Sequence, residues 1–174
     1  MLINYKNLTI RNAAVSDAVL LCGWWNDGKV MAHAGFPNGL GTTPEKIAQD
    51  LLKDTDQTYR RLIIELDGAP VGEMSYGISG SAAEIGIKIC DFSRQDKGLG
   101  KIFLSMLISA LFDSGVSKIV LDTNLKNLRA QHVYESLGFS KVRTNLNAWK
   151  DRLGVCQSSI DYELAKENFV NFAL

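Results

Sequence analysis

The stretch RQDKGLGK, residues 94–101, stands between an alternating apolar run and the apolar segment IFLSMLISALF. Two glycines and several charges where a strand hands over to a helix suit an anion. The first N–H groups of a helix point outward unpaired, and the helix dipole favours negative charge there. Three phosphate-binding patterns compete for this turn. The nucleotide P-loop GxxxxGK[ST] fails, because Gln95 stands at its first glycine and Ile102 at its hydroxyl position. The dinucleotide fingerprint GxGxxG fails at Phe103, the third glycine position. The pattern Q/R-x-x-G-x-G/A is met by Gln95, Gly98 and Gly100, whose glycines let the backbone curl closely around a pyrophosphate. Lys101 falls in the first helical turn, where a cation opposes the dipole unless an anion is near.

Upstream of the turn, AEIGIKIC (83–90) places Ile85, Ile87 and Ile89 on one face of a strand. Downstream, Leu99, Ile102, Phe103, Met106, Leu107, Ala110 and Leu111 recur at helical spacing until Gly115 ends the helix. Further upstream, YRRLIIEL and PVGEMSYG read as a hairpin turning at Asp67-Gly68, with Ala69 extending the connection. LTIRNA (8–13) alternates as a first strand, and Ser16 with Asp17 offers a cap for a helix over AVLLCGWWND. Thr43, Pro44 and Glu45 open a second helix over TPEKIAQDLLKD. Residues 27–43 carry four glycines and a proline and read as a loop with little regular structure. After Gly115 come a strand, SKIVLDT (117–123), a helix closed by Gly138, and two strands, FSKVRTNLNAW and CQSSIDYEL. No element is assigned to the tail AKENFVNFAL. The order β-α-α-β-β-β-α-β-α-β-β predicts an α/β sandwich: a mixed, largely antiparallel sheet of about seven strands with about four helices.

Composition narrows the classes further. A chain of 174 residues, 46% hydrophobic and 22% charged, suits a single globular domain over residues 1–174 rather than a disordered segment. Nineteen Lys and Arg balance nineteen Asp and Glu, which gives no support for a nucleic-acid or anionic-membrane partner. Cys22, Cys90 and Cys156 form neither a disulfide framework nor a zinc site, so a cytoplasmic setting is expected. MLINYKNLTIRN lacks the apolar core of a signal peptide, and no apolar run reaches the roughly 20 residues of a membrane span.

A second motif lies one strand beyond the glycine turn. In NLRAQHVYESLGF (127–139), Asn127 and Tyr134 are seven residues apart and share a helical face with Ala130, Val133 and Leu137. Tyr134 therefore faces the core or a cleft. With both motifs in place, the sequence resembles the GNAT superfamily of acetyl-CoA-dependent N-acetyltransferases. That family pairs Q/R-x-x-G-x-G/A with N-x-x-A-x-x-x-Y-E-x-x-G-F, met here by Asn127, Ala130, Tyr134, Glu135, Gly138 and Phe139. The element order from about residue 8 to 165 also suits the family.

The resemblance implies a splayed strand whose residues Ile87 to Asp91, including Ile89, pair with the pantetheine arm of acetyl-CoA. It implies that the loop of Gln95, Lys97, Gly98, Leu99, Gly100 and Lys101 holds the pyrophosphate and that Asn127 contacts the pantetheine side. The reaction implied is attack of a primary amine on the thioester, with Tyr134 as general acid for the departing thiolate. Glu84 is the expected base, with Glu73 or a water relay as alternatives. Trp24, Trp25, Asp27 and Trp149 are expected at the acceptor site, with Asn26 and His33 beside them. A small cationic amine or a protein N-terminus is the expected acceptor, no metal is required, and a homodimer is left open. A non-catalytic acyl-CoA sensor on the same fold is the competing reading, against which an intact Tyr134 speaks.

Overall fold

The computed structural model describes residues 1–173. Its strands are β1 (Leu2–Tyr5), β2 (Leu8–Asn12), β3 (Tyr59–Leu66), β4 (Ala69–Ser79), β5 (Ala82–Ile89), β6 (Lys118–Asn124), β7 (Ser140–Lys150) and β8 (Cys156–Ala165). The helices are α1 (Ala18–Asn26), α2 (Gly28–Met31), α3 (Pro44–Leu51), α4 (Leu99–Asp113) and α5 (Leu128–Ser136). All eight strands form one sheet in the order β1-β2-β3-β4-β5-β6-β8-β7. The β5–β6 pair is parallel and the others antiparallel.

The expected sandwich is present, with one strand and one short helix more than the pattern gave. The additional strand is β1, four residues that pair with β2 across a tight turn in which Lys6 takes φ +54°. Its single short edge position left too little alternation to register. Asp67 and Gly68, at φ +53° and +76°, form a two-residue turn, so Ala69 pairs with Leu66 rather than lengthening the loop. Thr43 caps α3 through the Lys46 N–H, with Pro44 at the first helical position. Asp17 does not cap α1. Its carboxylate instead takes two bonds from the Arg11 guanidinium, at 2.7 and 2.9 Å, and one from the Ala14 N–H.

Alternation along the strands divides the sheet into two faces. Ile10, Leu62, Ile64, Met74, Ile85, Leu121 and Tyr162 face α4 and α5 and form the main core with Phe103, Leu104, Leu107 and Leu137. The intervening Ile63 joins a second, smaller cluster under α1 and α3, with Leu21, Ile47 and Leu51. The tail left unassigned by sequence packs on the far side of α4. Phe169 meets Phe112 with ring centroids 5.9 Å apart, and the Val170 N–H donates to the Leu137 carbonyl. Gly138 lies under this tail at φ +97°, where an added Cβ would stand 1.9 Å from the Asn168 carbonyl oxygen.

Gly138→Ala is therefore expected to destabilise the fold by about 2 kcal/mol or more, from left-handed backbone strain and from the clash with the tail. Urea unfolding of the two proteins would measure it. Equal midpoints would show that the tail is not held where the structure places it.

Candidate active site

The site is a consequence of incomplete strand pairing. β5 and β6 are partners only at Ala82–Lys118, Ala83–Ile119 and Glu84–Val120, after which they diverge. The rest of β5, from Ile85 to Ile89, keeps β4 on one side and has no strand on the other. A cleft of about 780 Å³ opens there, walled by Ile85–Ile89, by Asp122–Asn124 of β6 and by the first residues of α4 and α5.

The glycine turn closes one end of the cleft. Gln95 fastens it on two sides: its Nε2 donates to the Ile89 carbonyl at 2.9 Å, and its Oε1 accepts from Arg129 of α5 at 3.0 Å. Gly98 precedes α4 at φ +75°, and no side chain caps the helix. The N–H groups of Leu99, Gly100 and Lys101 thus have no helical carbonyl to bond, at a helix start whose Leu99 and Gly100 border the cleft. A Cβ added at Gly98 or Gly100 would meet no protein atom within 4 Å, so the room beside them is free for a ligand. Gln95, Gly98, Leu99 and Gly100 line the cleft, together with Ile87, Ile89 and Asn127. Lys97 and Lys101 do not line it. Lys101 turns outward, its ammonium 3.9 Å from the centroid of the Phe172 ring.

Asn127 caps α5 by accepting from the Ala130 N–H, which fixes the helix whose second turn carries Tyr134. The Tyr134 ring is buried, edge-on to Phe139 and Tyr162 with centroids 5.9 and 5.8 Å away. It lines the cleft, and its hydroxyl makes no hydrogen bond among the described residues. Burial, aided by the charge of Asp122, pushes the phenol up to about 12, so it holds its proton at any physiological pH. Glu135, the next residue of the motif, is structural: it accepts from the Tyr162 hydroxyl at 3.0 Å and pairs with Lys141 at 2.9 Å.

Neither carboxylate singled out from sequence has a free place in the cleft. Glu84 sits on the last paired step of β5, is exposed, and borders a separate depression with Asp161 and Glu163. Glu73 is buried, and one of its oxygens accepts from both Trp25 Nε1 and Lys88 Nζ at 2.9 Å. Burial works to lower the Lys88 pKa, but the Glu73 charge outweighs it and the net shift is upward. Two carboxylates that sequence reasoning missed line the cleft: Asp96 of the glycine turn, paired with Arg129, and Asp122 of β6, which also borders the depression beside Glu84. Burial is the first cause that raises the Asp122 pKa, with the neighbouring Asp161 charge adding to the effect. In the sequence it reads as an ordinary polar position of an alternating strand.

The residues expected at the acceptor site are divided by the structure. Trp24 and Trp25 pack against the second core cluster, and Asp27 caps α2 through the Lys29 N–H at 2.8 Å. Asn26 clamps Thr42 with two bonds of 2.9 Å. All four lie outside the cleft. Trp149 does line it, pressed on Gly35, where a Cβ would fall 2.3 Å from the indole. Lys29, Val30, His33 and Ala34 complete this wall. The segment expected to be irregular carries α2 and a short 3₁₀ turn at Ala32–Ala34, and from residue 35 to 43 it has neither helix nor strand. Cβ atoms at Gly28 and Gly39 would come within 2.0 and 2.2 Å of the Pro37 and Asn26 carbonyl oxygens. Cys22, Cys90 and Cys156 are absent from the cleft wall, and burial pushes the Cys90 thiol up to about 12.

Gly100→Val is expected to weaken CoA binding at least about tenfold while leaving the fold intact, since the new side chain enters only the ligand's space and valine is no worse than glycine in a helix. Titration calorimetry beside urea unfolding would check it; full affinity in a folded variant would mean that the phosphates lie elsewhere.

Comparisons with known proteins agree with this geometry. By sequence the chain matches none of the curated proteins. In structure it is similar to the spermidine N-acetyltransferase of Vibrio cholerae, solved with CoA and spermine, at TM-score 0.84 and 20% identity over 95% of this chain and 99% of that one. A ribosomal L7/L12 α-N-protein acetyltransferase solved with coenzyme A gives TM-score 0.84 and 18% identity over 95% and 98%. The ribosomal-protein-alanine N-acetyltransferase of Brucella melitensis gives 0.76 and 21% over 90% and 98%. At these identities the likeness is one of fold. Residues 7–140 match the acetyltransferase (GNAT) domain, and with most of its length inside that match the chain belongs to the GNAT family of acetyltransferases, enzymes with acetyl-CoA as cosubstrate.

Proposed function

We propose that this enzyme transfers the acetyl group of acetyl-CoA directly to a primary amine, with Tyr134 as the general acid. The observation that carries the reading is an unpartnered phenol in the wall of the gap between β5 and β6. The loop N–H groups of residues 98–101 would hold the pyrophosphate, and the free side of β5 at Ile87 and Ile89 would pair with the pantetheine arm. The amine nitrogen bonds to the thioester carbon, the carbon–sulfur bond breaks, and the sulfur takes the Tyr134 proton. The amine's own proton passes to water or to Asp122, whose raised pKa makes it a better base than an ordinary aspartate. Direct transfer is favoured because no cysteine stands in the cleft wall.

The two acceptor classes differ in charge and in basicity. An alkylamine of pKa about 10.4 is almost wholly protonated at pH 7, whereas an α-amine of about 7.7–8.0 is neutral in an appreciable fraction. Lys29 and His33 stand in the acceptor-side wall, Lys88 is held by the buried Glu73, and Asp96 and Asp122 are the carboxylates that line the cleft. The difference in basicity supports an α-amine, as on a peptide or protein N-terminus. A panel of peptides and polyamines with acetyl-CoA, read as thiol release, tests this; faster turnover of spermidine than of every peptide would reverse the choice.

With an acceptor in hand, Tyr134→Phe should lower kcat by about 10²–10⁴-fold while CoA affinity stays within about twofold. A variant that turns over at the wild-type rate, under conditions where chemistry limits, would reduce Tyr134 to a core residue. The pH profile carries the same assignment. Because the folded-state pKa is raised to about 12, the proton is kept well above the usual tyrosine range, so kcat should rise as the amine deprotonates and show no alkaline decline below pH 10. A decline centred near pH 9 would contradict the burial of the donor.

A further inference from the structure

The C-terminal segment reaches the phosphate loop from behind. It runs along α4 in the opposite direction, meeting Phe112 near the helix end, Ser105 at its middle and Lys101 in its first turn. Those positions lie on one helical stripe. Ser105 is fully buried, and its hydroxyl accepts the Phe172 N–H at 3.1 Å, which fixes the backbone that carries the Phe172 ring. The ring in turn sits 3.9 Å from the Lys101 ammonium.

Lys101 is poorly placed by local electrostatics. A cation at a helix N-terminus is disfavoured by the dipole, and an aromatic face offers it an alternative partner. A pyrophosphate at the first turn of α4 would compete with that ring for the same ammonium. We propose that Phe172 is an affinity-setting residue for acetyl-CoA: it parks Lys101 outside the cleft, and the tail thereby holds cosubstrate affinity below what the loop could reach. Phe172 touches no reacting atom and acts only through Lys101. The proposal rests on the loop being the phosphate site.

Removing the aromatic face tests it. Phe172→Leu keeps an apolar side chain at a position that is 37% exposed, and leaves the Val170–Leu137 and Phe169–Phe112 contacts untouched. Its affinity for CoA, by calorimetry at low salt, should rise about two- to fivefold, the worth of an exposed cation–π contact. The gain should shrink with added salt, as a freed surface charge requires. It should vanish in a Lys101→Met background, and Phe172→Tyr, which keeps the ring, should bind as wild type does. Phe172→Met gives the same deletion if the leucine variant does not fold. Unchanged or weaker binding by Phe172→Leu overturns the proposal, as does a gain that persists without Lys101. A wild-type protein that binds no CoA would instead refute the loop reading on which it rests.

Discussion

Three paired steps between β5 and β6 set up everything else in the molecule. These strands are the one parallel pair among the described residues, and they part after Glu84 and Val120. Parallel strands need a crossover, here α4, and the turn that begins it must lie at the end of β5. The divergence therefore places a helix N-terminus at one end of a gap whose wall is an unpaired strand edge. An exposed edge in a sheet invites pairing with any extended chain. Under the proposed function the gap takes one extended ligand, with its anionic end at the helix and its reactive end near Tyr134.

The cofactor half of this arrangement was legible because each part has a local signature. Gln95, Gly98 and Gly100 reveal a turn of fixed geometry, and Asn127 and Tyr134 fall on one face at helical spacing whatever surrounds them. The acceptor half was not, because its residues are assembled by packing between distant segments. Gly35 and Trp149 are remote in sequence, and the indole can approach this closely only because the glycine carries no Cβ. The four glycines of residues 27–43 looked like looseness. Three of them are points where backbone or an indole approaches too closely for a Cβ. Trp24, Trp25 and Asp27 carried a plausible acceptor chemistry, but the second core cluster claims the indoles and a helix cap claims the carboxylate.

Charge placement follows the same division. On the face shared by Glu73, Lys88, Glu84 and Asp122, the carboxylate under α1 is buried and must be compensated, so it holds Trp25 and Lys88. Removing Lys88 would leave Glu73 buried and unpaired, which explains why a glutamate one strand away from the cleft does not serve as a free base. Asp122 has no such partner. Burial, with the like charge of Asp161 adding to it, leaves in the cleft wall a carboxylate more basic than its type.

The second motif behaves as one mechanical unit. Asn127 starts α5, Glu135 anchors the Tyr162 hydroxyl, and the Tyr162 ring stands edge-on to Tyr134. Gly138 ends the helix in a conformation that admits the tail, which then lies along α4 as far as its first turn. Asn127, Glu135 and Tyr162 support the Tyr134 phenol, and Gly138 carries the support across to the other motif. A tyrosine alone on a helix would be an ordinary core residue. Held between Phe139 and Tyr162, with its hydroxyl left to the cleft, it is fixed in direction before any ligand arrives, which is the condition the proposed proton donor needs to act in a transition state without reorganising.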